Sequence, residues 1–215
     1  MVNPGQQMAQ IYTYDDNRNL LSIRAINTPW FKRDFEYDAL NRLQSATSIN
    51  NGTIDYTYDN VGNRLSRSIN GQIDEYSYVS GTNRIDQING PNPAGFSYDA
   101  SGNITGIDLK TFVYNQNNRL VRVEEGAAIL GEYTYNGLGQ RVIKDAAGVE
   151  TIFLYDFDGN IVAQSASDGT IKIEYLYAEQ ARMAMVDVGA GQTYFFANNY
   201  LGTPLLVTDS SGNVV

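Results

Sequence analysis

Residues 56–65 read Tyr56-Thr-Tyr58-Asp-Asn-Val-Gly-Asn-Arg-Leu65, and this stretch with its copies decides the fold. Two aromatic residues flank a threonine, so in an extended strand both rings fall on one side of a sheet and the hydroxyl on the other. Asp59 can accept hydrogen bonds from backbone N–H groups two residues on, and Gly62, the fourth residue after Tyr58, suits a left-handed conformation. Together they predict a hairpin closed by a type I turn with a bulge, after which Arg64 and Leu65 open the return strand. The unit is strand, turn, strand.

Working outward, the aromatic-x-Tyr element occurs nine times, ending at Tyr14, Tyr37, Tyr58, Tyr78, Tyr98, Tyr114, Tyr135, Tyr155 and Tyr177. Successive copies lie 23, 21, 20, 20, 16, 21, 20 and 22 residues apart, a spacing regular enough for one structural repeat with variable loops. The fourth position after Tyr holds Gly62, Gly102, Gly139 and Gly159, with Asn41 and Asn118 in two more copies. Arg18, Thr82 and Ala181 break the pattern, so those three turns are expected to be longer, differently shaped or eroded. Return strands such as Leu65–Ile69 and Ile85–Ile88 end in second turn signals, Asn51-Gly52, Asn70-Gly71, Asn89-Gly90 and Asp168-Gly169. Two strands per repeat give about eighteen in an antiparallel meander. No apolar period of 3.6 residues persists over three turns, and Ala178 to Met185 is the best candidate for a short helix.

Composition narrows the chemistry. The 215 residues include 16 Tyr but no His and no Cys, which removes Ser-His-Asp triads, cysteine nucleophiles, thiolate zinc sites and disulfides. A net charge of -9 repels phosphate backbones and anionic membranes, so neither nucleic acid nor a membrane surface is expected as a partner. No stretch approaches the apolar length of a membrane span, and the N-terminus, Met1-Val-Asn-Pro-Gly-Gln-Gln, has the pattern of no signal peptide.

The recurring Tyr-Asp-x-x-Gly-Arg-Leu unit resembles the YD repeat of the Rhs family, found also in the C component of insecticidal Tc toxins, in cell-wall-associated bacterial proteins and in teneurins. The segment Asn199-Tyr-Leu-Gly-Thr-Pro-Leu-Leu-Val-Thr-Asp-Ser-Ser-Gly-Asn-Val-Val215 is similar to the start of the Rhs core segment that follows the repeats, although the family's usual Asp-His is replaced here by Asn199-Tyr200. The resemblance implies an all-β fold, an antiparallel meander of YD-repeat hairpins forming a curved open sheet, as a segment of an Rhs-type β-shell. Residues 1–185 are expected to form the array of about nine repeats, and residues 186–215 the truncated beginning of the core-associated segment. Relatives release their cargo by aspartyl self-cleavage at an Asp-Pro-x-Gly motif; that motif does not occur in this chain, and no catalytic residue carries over.

The remaining candidates are weighed against plain structural roles. The ring ladder reads as cross-strand packing rather than a glycan platform. Arg18, Arg42, Arg64, Arg84, Arg119, Arg141 and Arg182 read as a structural stack, pairing with Asp15, Asp38 and Asp59 and lying on rings, rather than as a polyanion site. Asp156-Phe-Asp158-Gly-Asn160 has a faint calcium-loop look but lacks the remaining ligands, and it makes a poor acid-base dyad. No catalytic, cofactor or metal residues are therefore assigned, and no cofactor is expected. The function expected is a non-catalytic segment of a shell that encapsulates a C-terminal toxin or effector, in a parent protein that is secreted or on the cell surface. Its partners are then the rest of the shell and the enclosed effector. Strand edges at Met8–Tyr14 and Leu205–Val215 are expected to pair edge to edge with other chains. The alternative is a surface module that binds glycans or a partner protein through exposed aromatics, with Trp30 the residue to watch.

Overall fold

The computed structural model describes residues 10–26, 28–179, 181–199 and 202–215, apart from the side chains of residues 28–30. The Trp30 ring, Tyr200 and Met8 fall outside that description. The chain divides into two compact units, within Gln6–Asp108 and Leu109–Val215. The first carries β1 (Gln10–Tyr14), β2 (Leu20–Ala25), β3 (Thr28–Tyr37), β4 (Leu43–Ser48), β5 (Gly52–Tyr58), β6 (Arg64–Ile69), β7 (Gln72–Tyr78), β8 (Ile85–Asn89), β9 (Ala94–Tyr98) and β10 (Ile104–Ile107). The second carries β11 (Lys110–Tyr114), β12 (Leu120–Glu125), β13 (Ala128–Tyr135), β14 (Arg141–Ala146), β15 (Val149–Tyr155), β16 (Ile161–Ser165), β17 (Ile171–Ala178), β18 (Ala181–Asp187), β19 (Gln192–Asn198) and β20 (Pro204–Thr208). The chain is thus all-β and antiparallel, with twenty strands rather than about eighteen and no helix among the described residues.

Within each unit a strand meets only the strands before and after it, so each unit is a ladder one layer thick. The register follows the sequence pattern. Tyr56 stands opposite Arg67 and Thr57 opposite Ser66, and then the register slips so that Tyr58 faces Arg64. That slip is the bulge. In the same turn the Asp59 N–H donates to Asn63 O at 2.9 Å, the Gly62 N–H donates to Asp59 O at 3.2 Å, and Gly62 sits at φ 96°. A β-carbon resists this conformation, which is why glycine or asparagine recurs there.

Ten turns share this hydrogen-bond pattern, among them those starting at Ala166, Asn199 and Asp209, which follow no aromatic-x-Tyr element. Arg18 corrects the expectation that its turn is irregular: it takes φ 68° and closes the same pattern, because two backbone bonds offset the strain of one left-handed residue. The Thr82 turn is one residue longer, the Val79 N–H reaching Arg84 O at 2.8 Å, and its left-handed residue is Gly81. Ala178 to Met185 is not helical. Leu176 pairs with Ala184, Tyr177 with Arg182 and Ala178 with Ala181 across a tight turn at Glu179, so cross-strand pairing overrides local helix propensity.

A single layer buries little. Among the described residues the buried apolar side chains are Ala25, Phe153, Ala163 and Ala184, and the buried polar ones are Ser22, Asp74 and Ser165. Stability must therefore come from half-buried contacts between neighbouring hairpins, as in other repeat folds.

Candidate functional site

The feature that recurs in both units is the aromatic face, and its residues are tied from one repeat to the next. Residues two apart in β5 place Tyr56 and Tyr58 on one face, and the partners of that face, Arg64 and Arg67, stand across on β6. In seven of the nine pairs the second tyrosine donates its hydroxyl to the carbonyl that opens the preceding return strand. Tyr37 reaches Leu20 O at 3.0 Å, Tyr58 reaches Leu43 O at 2.7 Å, Tyr78 reaches Arg64 O at 2.7 Å and Tyr98 reaches Ile85 O at 2.8 Å. In the second unit Tyr135, Tyr155 and Tyr177 repeat this on Leu120, Arg141 and Ile161. On β19 Asn198 takes over the role, donating Nδ2 to Arg182 O at 2.9 Å.

This bond explains an asymmetry in the sequence. The first ring of the element is Phe at 35, 96, 112 and 153, while the second is always Tyr. Packing alone accepts either ring; a backbone carbonyl accepts a hydrogen bond only from the one with a hydroxyl. The signal was present in the nine copies, but its cause lies in a contact between repeats. For Tyr78, burial together with the nearby Asp59 carboxylate pushes the phenol pKa above its ordinary value.

The arginines fill the same face. Arg42 lies 4.7 Å above the Tyr58 ring, Arg64 lies between Tyr56 and Tyr76 at 4.9 and 5.5 Å, Arg141 between Tyr133 and Phe153, and Arg182 is 4.4 Å from Tyr175. Arg84 and Arg119 stack on Tyr98 and Tyr135. Two of these guanidinium groups also donate to the turn of the next repeat, Arg42 to Asp59 O at 2.7 Å and Arg119 to Gly139 O at 2.8 Å. Arg18 is not in this stack, since it occupies the turn itself. The expected carboxylate pairing holds for Arg42 with Asp38 at 2.6 Å and not for Asp15 or Asp59. Those two carboxylates are taken by the carboxamides of Asn19 and Asn63, each at 2.9 Å.

The Asp-to-Asn spacing of four residues is the recurring clamp of these turns. Asp99, Asp156 and Asp209 each accept the Nδ2–H of an asparagine four residues on, Asn103, Asn160 and Asn213. That bond, with help from backbone N–H groups, holds all three carboxyls below the usual carboxylate range. For Asp156 the accounting is complete: Oδ1 accepts from Asp158 N and Asn160 N, and Oδ2 from the Asn160 side chain. The hairpin therefore explains its oxygens without a cation. Among the described residues no three carboxylates gather to hold a metal ion.

One carboxylate departs from the pattern, and nothing in the sequence marks it. Asp74 is 1% exposed, ion-paired with Arg67 at 2.7 Å, and it accepts the Asn92 N–H at 2.9 Å and its Nδ2–H at 3.2 Å. The Arg67 hydrogen bond, followed by that of Asn92 N–H, lowers its pKa. Gly90, at φ 142°, lets the loop close over it, since a β-carbon there would overlap Ile73 O. Both oxygens are engaged, one bond tying the carboxylate to the neighbouring strand and two holding the loop, so the group is an anchor and not a reactive acid. A shallow depression of about 420 Å³ lies near Asp86, Phe96 and Asp108, but the Asp108 carboxylate in it already accepts the Gly95 N–H at 2.8 Å.

The face that recurs in both units thus consists of rings, guanidinium groups and carbonyls in contact with one another, a surface built to join hairpins. A family model described as Teneurin YD-shell matches residues 31–215. The chain belongs to the teneurin YD-shell family. It is 27% identical over 182 residues to the tRNA3(Ser)-specific nuclease WapA of Bacillus spizizenii, covering 83% of this chain and 8% of that protein. It is 28% identical over 188 residues to teneurin-1 of Homo sapiens, covering 84% of this chain and 7% of the relative. Among solved structures it resembles a chain of the Photorhabdus luminescens Tc holotoxin pore, with TM-score 0.57 and 15% identity over 96% of this chain and 14% of that one. A chain of TcdB2-TccC3 without its hypervariable C-terminal region matches with TM-score 0.56, 14% identity and the same coverages. These likenesses concern the fold. The chain spans less than a tenth of the length of the curated relatives it matches.

Proposed function

We propose that this YD-shell chain is a non-catalytic structural segment of an Rhs-type shell that encapsulates a C-terminal toxin or effector. The observation that carries the proposal is how the recurring face is used: tyrosine hydroxyls and arginines reach neighbouring hairpins while the turn aspartates close their own turns, which makes a wall and leaves no reactive cluster among the described residues. Resemblance to Tc toxin components supports the same reading. Residues 1–185 are then the repeat array, residues 186–215 begin the core-associated segment, and the partners are the remaining shell strands and the enclosed effector. The parent protein would act outside the cell that makes it or at a cell surface.

The work of such a segment is exclusion, and a one-layer sheet does it only when its edges are covered. Solution scattering coupled to size exclusion on the full 215-residue chain tests this. The expected result is edge-associated oligomers, or a radius of gyration clearly above the value of about 17 Å for a compact monomer of this length. A monodisperse monomer near that value across a concentration series would overturn the shell reading and favour a self-contained recognition module.

A further inference from the structure

The chain contains four Asn-Gly pairs, Asn51-Gly52, Asn70-Gly71, Asn89-Gly90 and Asn136-Gly137. Asparagine followed by glycine is the pair most prone to backbone-assisted deamidation, because no β-carbon shields the glycine nitrogen. That nitrogen attacks the asparagine Cγ, the new N–Cγ bond forms as the Cγ–Nδ2 bond breaks, and the amide leaves as ammonia with the proton given up by the glycine N–H. Water then opens the resulting succinimide to aspartate or isoaspartate. The step requires a carboxamide free to rotate toward the next residue. The four sites share the Asn-Gly pair but differ sharply in that freedom.

At Asn70 both ends of the carboxamide are held. Oδ1 accepts the Thr53 N–H at 2.9 Å, Nδ2 donates to Asn51 O at 3.4 Å, and the backbone is already left-handed at φ 51°. Asn136 is held more tightly: Oδ1 accepts from Leu138 N at 3.1 Å and Gln140 N at 3.0 Å, and Nδ2 donates to Gln140 Oε1 at 2.7 Å. Asn51 and Asn89 are exposed, and among the described residues their carboxamides make no hydrogen bond. We propose that Asn51 and Asn89 are sites of spontaneous deamidation in the folded chain and that Asn70 and Asn136 are protected by the ties of the repeat.

The modification has structural consequences at both sites. Isoaspartate at position 51 lengthens the backbone inside the hairpin loop that brings Ser48 opposite Gly52, and it displaces the carbonyl to which Asn70 donates. A carboxylate at position 89 stands directly across from Glu75, and like charges at opposed positions weaken a strand pair. Chain age would thus be written first into the pairing of β4 with β5 and of β7 with β8.

The test is peptide mapping by mass spectrometry of the full chain, incubated in mildly alkaline buffer at physiological temperature, folded and in concentrated guanidinium. Breaking two side-chain hydrogen bonds to reach the attack geometry slows a site by about tenfold or more. In the folded chain Asn51 and Asn89 should therefore outpace Asn70 and Asn136 by at least that factor, and in guanidinium the four rates should converge. Equal rates in the folded chain would overturn the proposal. So would the same ordering in guanidinium, because the difference would then belong to sequence context and not to the fold.

Discussion

The two units present the same aromatic face and different opposite faces. In the unit within Gln6–Asp108 the opposite face is lined with hydroxyls that bond across strands: Thr13 with Ser22 at 2.7 Å, Thr47 with Thr53 at 3.0 Å and Thr57 with Ser66 at 2.6 Å. Ser45 donates to Asp55 at 2.7 Å on the same face. In the unit within Leu109–Val215 one row of that face is charged, Arg122, Glu132, Asp145 and Glu150, and several other positions turn apolar. Leu154 stands opposite Ala163, Ile143 opposite Ile152, and Leu176, Ala184 and Phe195 form one row across three strands. Leu176 is 53% and Phe195 47% exposed, while Ala184 between them is buried. The difference teaches which face is constrained. The aromatic face carries the contacts between repeats and cannot change without losing them; the other face only has to tolerate pleating, so its chemistry varies from unit to unit.

Turn substitutions should give the largest effects and test whether ties between repeats matter beyond local strain. At Gly62, in the first unit, a β-carbon meets open space, so Gly62→Val should cost only the backbone strain of about 1–3 kcal/mol. At Gly139, in the second, a β-carbon would overlap the Arg119 guanidinium that donates to its carbonyl. Gly139→Val should therefore lower the melting temperature more than Gly62→Val. Equal losses in thermal melts would show that the arginine tie is dispensable.

The tyrosine hydroxyls sharpen the claim that the aromatic face is common to both units. Tyr58→Phe and Tyr155→Phe each remove one donor from a backbone carbonyl and should each cost about 1 kcal/mol by denaturant titration. Tyr56→Phe, at the position where other repeats carry Phe, should stay within about 0.5 kcal/mol. A loss at Tyr56 as large as at Tyr58 would remove the distinction between the two rings. The smallest effects belong to the opposite face: Leu176→Thr and Thr57→Val should each shift stability by less than about 0.5 kcal/mol. A clear loss at Leu176 in the isolated chain would mean that its row is already packed, and the freedom inferred for that face would disappear.

Much of the fold was legible in the repeat. Spacing of aromatic residues by two, with glycine or asparagine four residues later, sufficed to place strands, bulged turns and the side on which rings lie, because each of these is decided within about ten residues. Arg18 misled because intrinsic preference weighs against a left-handed arginine, while the turn's two hydrogen bonds weigh for it. Ala178 to Met185 misled because its helix formers pair across a turn with β17. The pairing of Asp15 and Asp59 with asparagine rather than arginine rests on which donor four residues on faces the carboxylate. The carboxylate of Asp74 gave no signal, since its burial depends on a loop that closes over it from residues 90–92.

The sequence alone thus determined the element type, the hairpin register and the family, all consequences of local stereochemistry repeated nine times. Only the tertiary structure decided why the second ring must be tyrosine, which aspartates meet arginine and which meet asparagine, and which asparagines are held. Each of those depends on a partner 13 to 20 residues away on the next hairpin, or on which nearby groups within a turn meet, and a one-dimensional pattern records the residue without the contact.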